Sequence, residues 1–478
     1  MRRGLILICF TFLCSCACPQ VSNAKVEALT FAHFTTPGAD SAEGQELRSQ
    51  SAIRSSRLTT LEAQLKAGDA TALDRFWREV KQEGTPLIER IPGDDKYVFV
   101  TFLWRGKADT KNIVLFSESL PGNCGSWANS REELLRSRLV NLSGSNVFFR
   151  TCKLLREGRF TYYLSVNDPM LLRWERKDWN SLQPDSFNPR RLIFHLEKGT
   201  WVSSSVELPG ADHASWAEER SGVPKGRTEE FRLNSNSLGE ERRFWIYTPP
   251  GYSPTTKRYR LLVLFDGWGF THIVPTPTIL DNLLFAQRIP PIVVVFVDQK
   301  KRVVELGCSS TFNDFLVREL MPWIRARYAV SSDAAETVIG GQSLGGLAAA
   351  YAGLKHPEVF GTVLSLFGAF FWEPGGHLHT GSDAEGDLGE WEWIIHQYAQ
   401  EAQRRVRFTM IAGLFDYGDE LSPRPSMLTS NRHMRDVLIA KGYPVVYREI
   451  AAGDEMFASL FALPIGLQLA LGGSASQP

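Results

Sequence analysis

Gly340-Gly341-Gln342-Ser343-Leu344-Gly345-Gly346 follows the apolar run Thr337-Val338-Ile339 and precedes an Ala-rich stretch that ends near Leu354. The order is strand, sharp turn, helix, with a Ser at the apex and a Gly two residues to either side. Such a turn holds the Ser in a strained backbone conformation, and the glycines let strand and helix approach closely. The helix N-terminus adds partial positive charge beside the hydroxyl, where an oxyanion would develop. The pattern marks Ser343 as a candidate nucleophile.

Strand and helix signals alternate around this turn. Leu261–Phe265 and Ile292–Val297 are continuous apolar runs, as expected of strands buried on both faces. Helical periodicity covers Phe312–Tyr328, later strands are read at Arg407–Ile411 and Val445–Ile450, and a helix is read from about Ser426 to Lys441. This alternation predicts a mostly parallel sheet covered by helices, an α/β-hydrolase domain over residues 229–473. An oxyanion hole needs two amides. The expected pair is Leu344 N–H with that of Gly267 or Trp268, in the loop after Leu262–Phe265. In this fold the acid and the His follow the Ser in that order. The acid candidate is Asp416, after the turn Ala412-Gly413, with Asp419 and Glu420 as rivals. The loop after Ile450, where the His belongs, reads Ala451-Ala452-Gly453-Asp454-Glu455-Met456-Phe457 and has none. His433 lies in a helical stretch, and His377 and His379 lie in a Gly-rich insertion.

The first half of the chain reads differently. Short β-rich runs at Tyr97–Trp104, Asn112–Ser117, Asn146–Cys152, Phe160–Val166 and Arg191–His195 are punctuated by Gly, Pro and Asn. They predict an all-β, immunoglobulin-like sandwich over residues 58–212, preceded by a helical face of Leu73, Phe76, Trp77 and Val80. A polar stretch, 213–228, reads as a linker, and residues 25–57 as a flexible leader. Residues 1–24 read as an export signal, with Arg2 and Arg3 before the apolar run Gly4–Leu13 and small residues at Ser22-Asn23-Ala24. Leu13-Cys14-Ser15-Cys16 also resembles a lipoprotein cleavage box with Cys16 as the lipidated residue, so an anchored and a free exported form both stay open. The expected location is periplasmic or secreted.

Three cysteines remain after the signal. Cys124 and Cys152, both in the N-terminal half, are the favoured disulfide, against three separate buried thiols. Lys plus Arg and Asp plus Glu each number 53, so the net charge is zero, which argues against a nucleic-acid binder. The apolar segments are too short to span a bilayer, and the constellation requires no metal or organic cofactor.

Several stretches together resemble the enterochelin (ferric-siderophore) esterase family. They include Phe76-Trp77 through Glu89, Val100–Arg105, Phe187-Asn188-Pro189 and Arg243–Tyr252. Further along come Leu264-Phe265-Asp266-Gly267, Pro275–Asn282, Arg302 with Glu305-Leu306, Gly341–Gly346, Asn431-Arg432 and Lys441-Gly442. The resemblance implies a serine esterase that cleaves a catecholate trilactone, with Ser343 as nucleophile, Asp416 as acid, and iron present only as part of the substrate. It also implies a pocket-facing Arg302, suited to an anionic catecholate, an ion pair with Glu305 being the alternative. The family's Gly-Gly-His-Asp/Glu motif falls on Ala452-Gly453-Asp454-Glu455, so Asp454 stands where the His should be, and Ser459 stands near the usual Trp. That departure leaves two expectations: an esterase with impaired catalysis that uses as base Asp454 or a rescued His, His377 or His379 of the insertion, or a relative that binds a siderophore-like ligand without cleaving it. A carboxylesterase with an unrelated acyl substrate is a third.

Overall fold

The computed structural model describes residues 55–117, 119–120, 124–125, 131–177, 179, 181–196, 199–211, 215–255, 258–374, 390–416 and 425–472. The expected signal, residues 25–54 of the leader, the insertion with His377 and His379, and the rival acids Asp419 and Glu420 lie outside the described residues.

Among the described residues the N-terminal half carries the strands β1 (Leu87–Ile91), β2 (Asp94–Arg105), β3 (Ile113–Phe116), β4 (Val140–Asn141), β5 (Val147–Leu155), β6 (Arg159–Val166), β7 (Leu182–Gln183), β8 (Arg191–Leu196) and β9 (Gly199–Glu207). One sheet has the order β1-β2-β5-β4 and another the order β3-β6-β9-β8, with β7 on β6. Alternation along β2 and β6 sends Val98, Val100, Phe102, Phe160, Tyr162 and Leu164 into one shared core. Leu103 of β2 and Val147 and Phe149 of β5 join a second core, with Phe76, Trp77 and Val80 from helix Ala72–Glu83 and Leu58 and Leu61 from helix Ser56–Lys66. An entirely β half is therefore not what forms: both helices are needed to cover that apolar surface. The first begins within the stretch read as leader, where the Ser55 hydroxyl accepts from Leu58 N at 3.3 Å. Cys124 and Cys152 are disulfide-bonded.

The C-terminal half is built on one sheet of β10 (Arg227–Ser235), β11 (Glu240–Thr248), β12 (Arg260–Phe265), β13 (Ile292–Val297), β14 (Thr337–Gln342), β15 (Thr362–Leu366), β16 (Arg407–Gly413) and β17 (Val445–Ile450). The order is β10-β11-β13-β12-β14-β15-β16-β17. β13 through β17 run parallel, and β10 and β11 form an antiparallel edge. Apolar cores lie on both faces, so the central strands β13, β14 and β15 are buried along their whole length. The stretch read as a linker is pinned rather than free. Asn282 Nδ2 donates to the carbonyls of Trp216 and Glu218, both at 2.8 Å, and Asp281 accepts from Gly226 N at 2.9 Å.

A helix the sequence reading did not mark, Met456–Leu471, packs its length against β15 and β16 and touches β6. It is buried on most sides, which removes the amphipathic period by which a helix is recognised.

Arg242 of β11 is almost wholly buried, and it forks onto both oxygens of Glu305, at 2.9 and 2.5 Å. The Arg302–Glu305 pair considered from sequence therefore does not form, because Glu305 is already taken. Arg242→Met strands the Glu305 carboxylate in the core and is expected to cost about 3–5 kcal/mol in urea unfolding. Arg242→Met with Glu305→Leu should recover most of it, and an unchanged midpoint for the single variant would refute this account.

Candidate active site

Ser343 follows the last residue of β14 and precedes helix Leu344–Lys355, with φ 57° and ψ −118°. A non-Gly residue there carries strain of about 1–3 kcal/mol and needs its surroundings to hold it. They do: Ser343 N–H donates to Leu366 O at 2.9 Å, and Ser343 O accepts from Ala369 N at 3.0 Å. A Cβ on Gly341 would come within 2.8 Å of Gly345 Cα, so strand and helix touch where the glycines stand. Ser343 itself is partly exposed. Leu344 N–H belongs to the first turn of its helix, where backbone donors lack intrahelical partners. Gly267 and Trp268 open the short helix Gly267–His272 after β12.

Asp454 stands beside the nucleophile. The Ser343 side chain lies close enough to pull the Asp454 pKa down, and Gln342 Nε2 donates to Asp454 Oδ1 at 2.8 Å. Gln342 Oε1 in turn accepts from the Ser459 hydroxyl at 2.5 Å. Burial raises the Asp454 pKa, while Gln342, Ser343 and the Arg302 charge pull it back and Asp266 pushes it further up. Arg302 is buried and grips both oxygens of Asp266, at 2.7 and 2.8 Å. Asp416 Oδ1 accepts from Asp454 N at 2.8 Å, and its Oδ2 is buried without a hydrogen-bond partner among the described residues. Burial, with the Asp454 and Glu455 charges, drives the Asp416 pKa well up. The structure thus brings Ser343, Asp454, Asp416 and Arg302 to one place. The histidine side chains described are engaged elsewhere: His433 with Glu392 at 2.8 Å, His396 with Glu390, His356 with Glu358, and His272 with Thr271 and Trp268. Sequence reasoning missed the bridging part of Gln342. Its signal was its place immediately before the Ser.

The “Putative esterase” family model matches residues 235–416. The iron(III) enterobactin esterase of Escherichia coli K12 is 31% identical over 314 residues, which span 62% of this chain and 75% of that protein. The chain belongs to the enterochelin esterase family. Dickeya dadantii iron(III) enterobactin esterase is 26% identical over 88% of this chain and 97% of its own length. The solved ferric enterobactin esterase of Salmonella typhimurium superposes with a TM-score of 0.64 at 22% identity, covering 83% of this chain and 98% of that one. It supports the same fold.

Within the enterochelin esterase family pattern, the Gly453-Asp454-Glu455 turn is also where the two halves of the chain meet. A Cβ on Gly453 would strike Ser119 Cα at 2.7 Å. Next to it the buried Glu455 accepts from Ser119 Oγ at 2.6 Å, Thr161 N at 3.0 Å and Thr161 Oγ1 at 2.5 Å. Arg159 N donates to Ala451 O, and the Arg159 guanidinium lies 3.7 Å from the Phe461 ring centre. Burial pushes the Glu455 carboxyl up to about 7 despite its three donors.

Because Glu455 binds its proton more tightly folded than unfolded, its contribution to stability is complete below the ordinary glutamate range. It is lost as pH rises through about 7. Glu455→Gln keeps the shape and removes the titration. Relative to wild type, the variant is expected to gain stability between pH 4.5 and 7.5 in paired urea titrations. A stability difference that does not change with pH would show that Glu455 does not titrate this way.

Proposed function

We propose that this chain is an exported serine esterase that hydrolyses the ester bonds of a catecholate trilactone or a related siderophore ester, with reduced turnover. Ser343 is the nucleophile, Asp454 the base, and the N-terminal sheets help enclose the substrate. Support comes from the names of the relatives and from one observation above all: beside the hydroxyl at the strained turn stands a carboxylate where the family carries its His, held by Gln342 and close enough for Ser343 to lower its pKa.

In this reading Ser343 Oγ attacks the ester carbonyl carbon as its proton passes to Asp454. The tetrahedral oxyanion faces the amides of Leu344 and of Gly267 or Trp268. Collapse breaks the C–O bond, and the leaving serine-type alkoxide takes the proton back from Asp454. Water then enters by the same base and releases the acid. Asp416, whose pKa burial raises, fixes the Asp454 backbone by accepting its N–H. Arg302, tied to Asp266, supplies the cation nearest Asp454 and would favour an anionic ferric catecholate. A carboxylate is a weaker base than imidazole and lacks its second nitrogen, so the turn, the amides and binding supply most of the rate, roughly 10³–10⁴ over water in a comparable site.

The same substitution favours a second reading, in which the site binds a siderophore-like ligand and does not cleave it. Hydrolysis of p-nitrophenyl esters and of a catecholate trilactone separates the two. Wild type is expected to be slow, with its rate rising as pH passes through a value above the ordinary aspartate range, because the base must be ionised and burial raises its pKa. Ser343→Ala should abolish the activity. Asp454→His should raise kcat by about 10²-fold or more, since Asp416 Oδ2 is positioned to accept from an imidazole. Equal rates for wild type and Ser343→Ala, with tight siderophore binding, would establish the binding reading instead.

A further inference from the structure

The two departures from the family pattern, Asp454 for His and Ser459 near the place of Trp, are joined by a single side chain. Ser459 lies fully buried in the first turns of helix Met456–Leu471, and its hydroxyl has one partner, Gln342 Oε1, at 2.5 Å. Gln342 ends β14 immediately before the nucleophile, and its Nε2 reaches Asp454 Oδ1 at 2.8 Å. The direction of the chain is set by chemistry. An ionised carboxylate only accepts, so the amide must turn its nitrogen to Asp454 and its oxygen to Ser459, which must then donate. A Trp near position 459 would present no hydroxyl there, and an imidazole at 454 would be oriented from its other side by the acid at 416.

We propose that Gln342, anchored by Ser459, is the positioning residue that makes Asp454 serviceable as a base. The Ser459–Gln342–Asp454 chain does for a carboxylate what an orienting acid does for an imidazole. It fixes the Asp454 rotamer towards Ser343, and its donated hydrogen bond favours the ionised form. The groups that bear on Asp454 are Arg302, whose charge lowers its pKa, and Asp266, which raises it, with the acids Asp416 and Glu455 close by. None of the acids offers the stabilisation that a buried anion needs, so the amide of Gln342 is the neutral donor that offsets them. The two departures thus act as one compensated change.

The inference rests on the reading of Asp454 as base, and its test separates the two. Ser459→Ala and Gln342→Met are assayed with p-nitrophenyl esters from pH 5 to 9. Both are expected to lower kcat about tenfold with KM unchanged, the loss that follows from one hydrogen bond to a charged group. Both should also move the acid limb of the profile to higher pH, which a purely structural role would not do. Profiles that superpose on wild type while Ser343→Ala and Asp454→Asn are inactive overturn the inference and leave the base standing. If wild type shows no Ser343-dependent turnover, the base reading fails. A double-mutant stability cycle of Ser459→Ala with Asp454→Asn at pH 5 and pH 9 then decides the chain itself. Coupling that is present at pH 9 and weaker at pH 5 supports it, and no coupling at either pH overturns it.

Discussion

The contact between β14 and the helix that follows it governs the rest of the site. With Gly341 against Gly345 there is no room for a gradual turn, and the chain reverses through a single residue held at φ 57°. That conformation is costly, and the backbone bonds from Ser343 to Leu366 and Ala369 tie it to the neighbouring strand and the loop beyond. Gln342 and Ser343 are therefore fixed in direction before any side chain chooses a partner.

Once the hydroxyl is fixed, electrostatics decides what surrounds it. Asp266, Asp416, Asp454 and Glu455 gather near one buried cation, Arg302. Four ionised carboxylates cannot share so little water. The burden falls unevenly, because their donors differ. Asp266 takes the guanidinium, and Asp454 takes the Gln342 amide. Glu455 takes three donors from the N-terminal half, while Asp416 has one backbone N–H. Asp416, with the fewest donors, is the group whose pKa is driven furthest up by burial and its neighbours. Asp454, beside the nucleophile, keeps a donated amide hydrogen bond that favours its ionised form.

The same turn ties the site to the N-terminal half. Gly453 lets Ser119 come within van der Waals contact, and Glu455 grips Ser119 and Thr161, so residues more than 290 positions apart are held immediately behind the base. Other residues that mark the family also make contacts that brace the fold in this chain. Asp281 and Asn282 hold the stretch from Trp216 to Gly226, and Arg302 braces Asp266 at the head of the helix that carries Gly267 and Trp268.

The sequence alone determined the turn at Ser343, the parallel strands on either side of it and the place of Asp416 just past a strand, because each depends on a local signal: glycine spacing, an unbroken apolar run, or a residue after a turn. It also showed the missing imidazole. Helix Met456–Leu471 left no such signal, since burial on most sides erases periodicity, and helix Ser56–Lys66 has few apolar residues to show a face. Only the tertiary structure paired Arg242 with Glu305, closed Glu455 on Thr161, and strung Ser459, Gln342 and Asp454 into one chain. Those links join residues from 63 to 294 positions apart, and hydrogen bonds at that range are set by how sheets and helices stack. No stretch of sequence contains both partners.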